Sequence, residues 1–347
     1  MNPVQQKISC VYIIGVSDEV SAKRKQQTYK VTATKDLHAQ AQADGIATAK
    51  ATEKMDGTCC LIDVFEGQPW LWARHDRKPN KAGEKRFAQY KKNRQKSEDS
   101  ADSCFSWNFE KDFKEVPPNW VPASRLEMVN GFIMPDKLGH TPGWVPVEVK
   151  SRQHCWHLSA VSLEDGLALV LRESDGDKEE LVLRSEPMSN LVGQTCELVG
   201  SNINGNPYGI GSKKNPLHFL VPHGSLAVTC PSPVDHDATV AWFSSGTVDA
   251  GVEGVVWHCS NGELYKLHRH HLNLQWPVVE SRLCRRPVKV AVEIVSASGG
   301  EDNDDDDETA QQADVFTKLF SLNGQVFDSL QHLCTALFPP SQPAEGL

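Results

Sequence analysis

Apolar residues along this chain recur in short runs rather than in long helical stripes. Cys10 to Val16 and Cys59 to Phe65 have strand length, and Gly67 and Pro69 after the second read as turn residues. Trp70 to Arg74 resumes the apolar pattern, so the spacing predicts a hairpin that begins at Thr58 and returns through Leu71-Trp72-Ala73-Arg74. Lys81 to Lys96 has helix-forming composition. Trp107 to Trp144, rich in Trp and Pro, reads as irregular connections around short strands. Strand-like runs follow at Trp144 to Val149, Leu167 to Leu171, Glu180 to Leu183, Thr195 to Val199, Phe219 to Val221 and Val252 to Cys259. Val315, Leu319, Val326, Leu330 and Leu333 then give Asp314 to Phe338 a helical spacing. Short strands with few long helices predict an α+β domain built on antiparallel sheets over 1–295, an acidic flexible linker over 296–310 and an appended helical tail over 311–347.

The hairpin near the end of the main domain can be registered from its turn. Asn261-Gly262 is a strong two-residue turn signal between apolar strands. That register sets Lys266 opposite Trp257, His268 opposite Val255 and His270 opposite Glu253. Glu253 and Lys266 then share a face about 13 Å apart, with Trp257 beside Lys266.

Charge changes the picture more than composition does. At 347 residues and 39% apolar content the chain can bury a substantial core. The net charge of −9 argues against a polyanionic partner until it is located: Glu301 to Glu308 carries −7 of it, leaving −2 for everything else. Arg74 to Lys96 holds ten Lys or Arg against two acids, +8 over 23 residues, which suits a polyanion but also fits a solvated helix face. The apolar run Val11 to Val16 is too short for a signal peptide, and no run is long enough to span a bilayer. Ten scattered cysteines then read as reduced thiols of an intracellular protein, cytosolic or nuclear. Cys59 and Cys60 read as core thiols, since no second ligand pair stands at zinc spacing.

Lys54-Met55-Asp56-Gly57 is the candidate for chemistry. Alone, Lys-x-Asp-Gly fits an ordinary surface lysine in a turn. Here it enters a strand, and Gly57 permits close approach of backbone to a ligand. Cys196-Glu197-Leu198-Val199-Gly200, Val252-Glu253-Gly254-Val255-Val256-Trp257 and Tyr265-Lys266-Leu267-His268 follow in order, with Arg74 after the first motif. In that order they resemble motifs I, III, IV and V of the covalent nucleotidyltransferases, the superfamily of ATP-dependent ligases and mRNA capping enzymes. The closer likeness is to the vertebrate ATP-dependent 5′-to-3′ RNA ligases. It is carried by Thr52 to Cys60, Leu71 to Arg74, Asp76 to Lys81, Asn202 to Gly209 and Lys266 to His271, and looks continuous from about Ile8 to Pro277.

The resemblance implies a nucleotidyltransferase (adenylation) domain without an OB domain. It implies ATP as co-substrate, Mg²⁺ or Mn²⁺, and RNA with 5′-phosphate and 3′-hydroxyl ends. Lys54 is then the covalent nucleophile for AMP. Glu53, Arg74, Glu197 and Lys266 bind nucleotide, Glu253 holds the metal, and Arg77, Lys78, Lys81, Lys85 and Arg86 bind RNA. An unperturbed lysine, with a pKa of about 10.4, is protonated at neutral pH, so desolvation and the positive charge of Lys266 and a metal are expected to favour the neutral amine. Two features depart from the family pattern. Lys266-Leu267-His268 replaces the Lys-x-Lys of many ligases, which leaves a second phosphate contact to His268 or Arg269. The stretch from Lys54 to Glu197 is also longer than a minimal ligase needs, implying an insertion. The histidines at 268, 270 and 271 lack a cysteine or acidic partner at zinc spacing and read as phosphate contacts or surface residues. Rival readings are a DNA ligase, a protein AMP-transferase, or an RNA- or nucleotide-binding module without turnover.

Overall fold

The computed structural model describes residues 3–17, 30–96, 105–124, 126–293 and 315–339, and the acidic run Glu301 to Glu308 lies outside them. The chain is α+β and divides into two compact units. The first comprises Met1–Val4, Ile8–Leu71 and Val147–Leu347; the second comprises Gln5–Lys7 and Trp72–Pro146. The second unit therefore occupies much of the long interval between Lys54 and Glu197, where the sequence implies an insertion. Among the described residues no helix is long and apolar enough to cross a membrane.

Two sheets organise the first unit. In the larger, the order runs Val326–Phe327, Val288–Ala291, Leu181–Pro187, Leu167–Glu173, His218–Pro222, Gln194–Gly200 and Thr58–Phe65. It is mixed rather than purely antiparallel: Leu167–Glu173 pairs parallel to His218–Pro222, and Leu181–Pro187 parallel to Val288–Ala291. Thr58–Phe65 turns into Gln68–Arg74 through Glu66 (φ 50°) and Gly67 (φ 82°). Positive φ at both positions is what a two-residue hairpin turn of this twist demands, so the turn is Glu66-Gly67 and Pro69 is inside the strand. The smaller sheet runs Ser9–Cys10, Leu264–His268, Gly254–His258 and Lys50–Lys54.

The C-terminal segment is no appendage. Val326–Phe327 is the edge strand against Val288–Ala291, and Leu319, Leu330 and Leu333 lie fully buried with Leu169, Phe219 and Leu283 in one core. Its apolar spacing thus serves the main domain, in a helix over 315–321 and a second at Leu330–Leu337, capped where Ser329 accepts from the His332 N–H.

In the second unit, Gly143–Pro146 pairs with the end of Gln68–Arg74 on one side and Val121–Pro122 on the other. The helix Lys81–Lys96 matches its predicted bounds. Asn80 Oδ1 accepts from the N–H groups of Ala82 and Gly83 at 3.0 Å, closing the helix's open first turn. Phe87 meets Phe105 and Trp107, and Trp107 meets Phe113, so aromatic packing anchors the helix.

Candidate active site

Lys54 ends its strand opposite Gly254, with Glu53 opposite Val255 and Thr52 opposite Val256. Across the next ladder, Val256 faces Lys266 and Gly254 faces His268. Lys54, Lys266 and His268 therefore share one face of the sheet, with the two lysines two residues apart along the strands and two strand spacings apart across them, about 12 Å between Cα atoms.

This register differs by one residue from the sequence-based one, and the turn explains why. The Cys259 N–H donates to Glu263 O, so the loop is Ser260-Asn261-Gly262, with Gly262 at φ 89°. A three-residue loop ending in a left-handed glycine slips the ladder by one and exchanges the faces. Trp257, expected beside Lys266, lies on the opposite face, buried with Val11, Tyr12 and Phe243. Glu253 precedes the strand, so alternation does not govern it. Its carboxylate reaches Lys54 directly, Oε2 to Nζ 2.5 Å, with the Glu253 side chain 3% exposed.

Burial pulls the Lys54 pKa down, but the carboxylates of Glu253, Glu197 and Asp56 outweigh it and hold the group above an ordinary lysine. Lys54 is thus held in its charged form, whereas the sequence predicts a neutral amine. The reason is that the nearest charges are carboxylates.

The structure does not bring Glu53 to this face. Strand alternation turns it the other way, into the interior, where Oε2 sits 3.5 Å from Arg282 and burial pushes its pKa up to about 7. Arg269, an expected alternative phosphate contact, is also buried, donating to the carbonyls of Val252, Ala250 and Phe243. That arrangement braces the loop entering Glu253.

Gly57 and Glu197 are locked together. The Gly57 N–H donates to Glu197 Oε1 at 3.1 Å, and a Cβ on Gly57 would lie 2.3 Å from Leu198 O and 2.7 Å from Glu197 Cγ. Asp56 is held from three sides. Its Oδ1 accepts from Asn204 and its Oδ2 from Trp276 Nε1, while its own N–H donates to Tyr208 Oη. Asn204 also donates to Gly57 O at 2.7 Å. The loop Asn202 to Gly209, with Asn202, Asn204 and Asn206 all at positive φ, is therefore the clamp on the lysine motif. The family likeness includes this loop without assigning it a role; its alternating asparagines, which tolerate left-handed backbone, are the signal for one. His223 was missed outright. Its Nε2 lies 3.0 Å from Glu197 Oε2.

Arg74 belongs to the second unit. There its Nε donates to Asp76 and its Nη1 to Gln5 O, and the guanidinium stacks over Trp144. Of the expected RNA contacts, Lys78, Lys81 and Lys85 are exposed. Arg86, also exposed, is ion-paired to Asp112, and Arg77 donates to the carbonyls of Lys114 and Phe109 while lying over Phe113, so both have structural work as well.

The family model described as RNA ligase 1 matches residues 1–336. The chain belongs to that family. It is 44% identical to RNA ligase 1 of Danio rerio over 96% of this chain and 98% of the relative. The figures for RNA ligase 1 of Rattus norvegicus are the same, and for that of Mus musculus they are 46% over 85% and 88%. The likeness extends past Pro277 and takes in the C-terminal segment, in keeping with the packing of that segment in the main core.

Proposed function

We propose that this RNA ligase family member joins RNA 5′-phosphate and 3′-hydroxyl ends at the expense of ATP, through a covalent Lys54–AMP adduct on a nucleotidyltransferase fold without an OB domain. The observation that carries the proposal is a half-buried lysine amine 2.5 Å from a buried carboxylate, with a second lysine on the same sheet face. Ordinary surface lysines have neither partner.

The residues fit a divalent metal: the Glu253 carboxylate is buried beside Lys54, and the carboxylates of Glu197 and Asp56 are near enough to act on the same amine. Oxygen donors suit Mg²⁺ or Mn²⁺, with Glu253 as the protein ligand. Such an ion, held by Glu253, would supply charge neutralisation for the triphosphate.

Lys54, once it has given up its proton to solvent, attacks the α-phosphorus of ATP. An N–P bond forms, the bond to the bridging oxygen breaks, and pyrophosphate leaves. Lys266 presents positive charge to the α-phosphate on the shared face. Glu197, fixed by Gly57, accepts from ribose hydroxyls. AMP then passes to the RNA 5′-phosphate, and an RNA 3′-hydroxyl displaces it. Arg74 engages ribose or RNA phosphate through its planar fork, and Arg77, Lys78, Lys81, Lys85 and Arg86 hold the RNA backbone.

The test uses ATP labelled at the α-phosphate, with Mg²⁺, and counts label remaining on the denatured chain. Wild type becomes labelled. Lys54→Ala and Lys54→Arg do not, although both remain folded. A folded Lys54→Arg that still carries label overturns the assignment.

A further inference from the structure

Beside the lysine motif, three side chains from consecutive strands of the larger sheet converge. Cys59 and Glu197 are ladder partners, Glu197 is in turn the partner of Val221, and His223 follows two residues later, its N–H donating to Thr195 O. The neighbouring strands, about 4.8 Å apart, bring Cys59 Sγ, a carboxylate oxygen of Glu197 and a ring nitrogen of His223 within 4.8 Å of one another. Among the described residues this is the one His, Cys, Asp or Glu group so arranged.

The supports of these donors resemble those of metal ligands. His223 turns Nε2 toward Glu197, and its Nδ1 lies 3.0 Å from Thr195 Oγ1, a hydroxyl that also accepts the Val4 N–H. A partner on the far nitrogen fixes ring orientation and tautomer, as it does for ligating histidines generally. Glu197 Oε1 is held by Gly57, which leaves Oε2 on the side of the cluster. Sulfur, imidazole and carboxylate together select a borderline-soft ion over Mg²⁺, and three protein donors leave a fourth position open.

We propose that Cys59, Glu197 and His223 form a site for a thiophilic divalent cation of the Zn²⁺ class, and that its occupancy opposes ATP by engaging Glu197. The second half rests on the role proposed above for Glu197. On binding, the Cys59 thiol releases its proton to solvent and coordinates as thiolate. The His223 ring coordinates as the neutral Nδ1–H tautomer, turned to Thr195, and no redox change occurs.

Co²⁺ serves as the probe on the full chain. Wild type develops thiolate-to-cobalt charge-transfer absorption that saturates at one Co²⁺ per chain, and Zn²⁺ abolishes it by displacement. Cys59→Ala loses the band, and His223→Gln weakens Co²⁺ binding about tenfold or more. Each variant is checked for a wild-type unfolding midpoint. With ATP limiting and Mg²⁺ fixed, Zn²⁺ raises the KM for ATP in wild-type self-labelling and spares Cys59→Ala. Absence of the band in wild type, or its persistence in Cys59→Ala, overturns the site. Equal inhibition of both proteins overturns the opposition to ATP. If Lys54 took no label at all, the cobalt band would still report the site, so the two readings fail separately.

Discussion

Gly57→Ala is the sharpest probe of how the lysine motif is built. The added Cβ would meet Leu198 O at 2.3 Å, Glu197 Cγ at 2.7 Å and Val199 Cγ1 at 3.0 Å, and the nearest of these is strand backbone. Neither the motif loop nor the strand Gln194–Gly200 can yield locally, because Asp56 is pinned by Asn204 and Trp276, and Glu197 is laddered to both Cys59 and Val221. Overpacking of this kind costs about 1–3 kcal/mol. Losing the hydrogen bond from Gly57 to a carboxylate adds roughly 1.5–3 kcal/mol. The two overlap, so a net loss of about 3 kcal/mol is expected, lowering Tm by roughly 5 °C or more. Glu197 should move with the strand, so self-labelling with α-labelled ATP should fall more steeply than the folded fraction, with a raised KM for ATP. Thermal unfolding and labelling on the same preparation measure both. A Gly57→Ala protein with wild-type Tm and wild-type KM would refute the close approach and the place given to Glu197.

Burial raises the Glu53 pKa from 4.5 to about 7, so the stability it allows is fully present below the unfolded value and is lost as pH rises through 7, on the order of 3 kcal/mol. Urea unfolding across that window should therefore show a fall that Glu53→Gln flattens; parallel profiles would count against the buried carboxyl. Neutralising Lys78, Lys81 and Lys85 together should weaken RNA binding and reduce its salt slope by about 2–3, leaving self-labelling with ATP intact. Loss of labelling instead would assign the patch to the nucleotide. Leu333→Ala should cost about 2–5 kcal/mol, and a chain ending near Ala297 should fail to express in soluble form, since it strips the core of Leu319, Leu330 and Leu333. A stable, active truncation would show the segment to be dispensable.

The amino-acid sequence alone located what depends on near neighbours. Lys54 at a strand end, the hairpin after Thr58, the helix Lys81–Lys96 and the strand at Glu197 follow from apolar periodicity, turn residues and composition, all local properties. The order of the four motifs also needed no structure, because it is a property of the chain.

Tertiary structure decided whatever turned on a single residue of register or on distant segments meeting. One extra residue in the Ser260–Gly262 loop puts Lys266 on the lysine face and Trp257 in the core, since a one-step slip inverts every side chain. Asparagine-rich backbone from 202–206 clamps Asp56 and Gly57 across some 150 positions. Glu253 pairs with Lys54 from beyond the strand, where alternation has no force, and so leaves the amine protonated. The C-terminal spacing reads as an appended helical tail because periodicity reveals an apolar face without naming its partner. Leu169 and Phe219 supply that partner through a contact that no local pattern encodes.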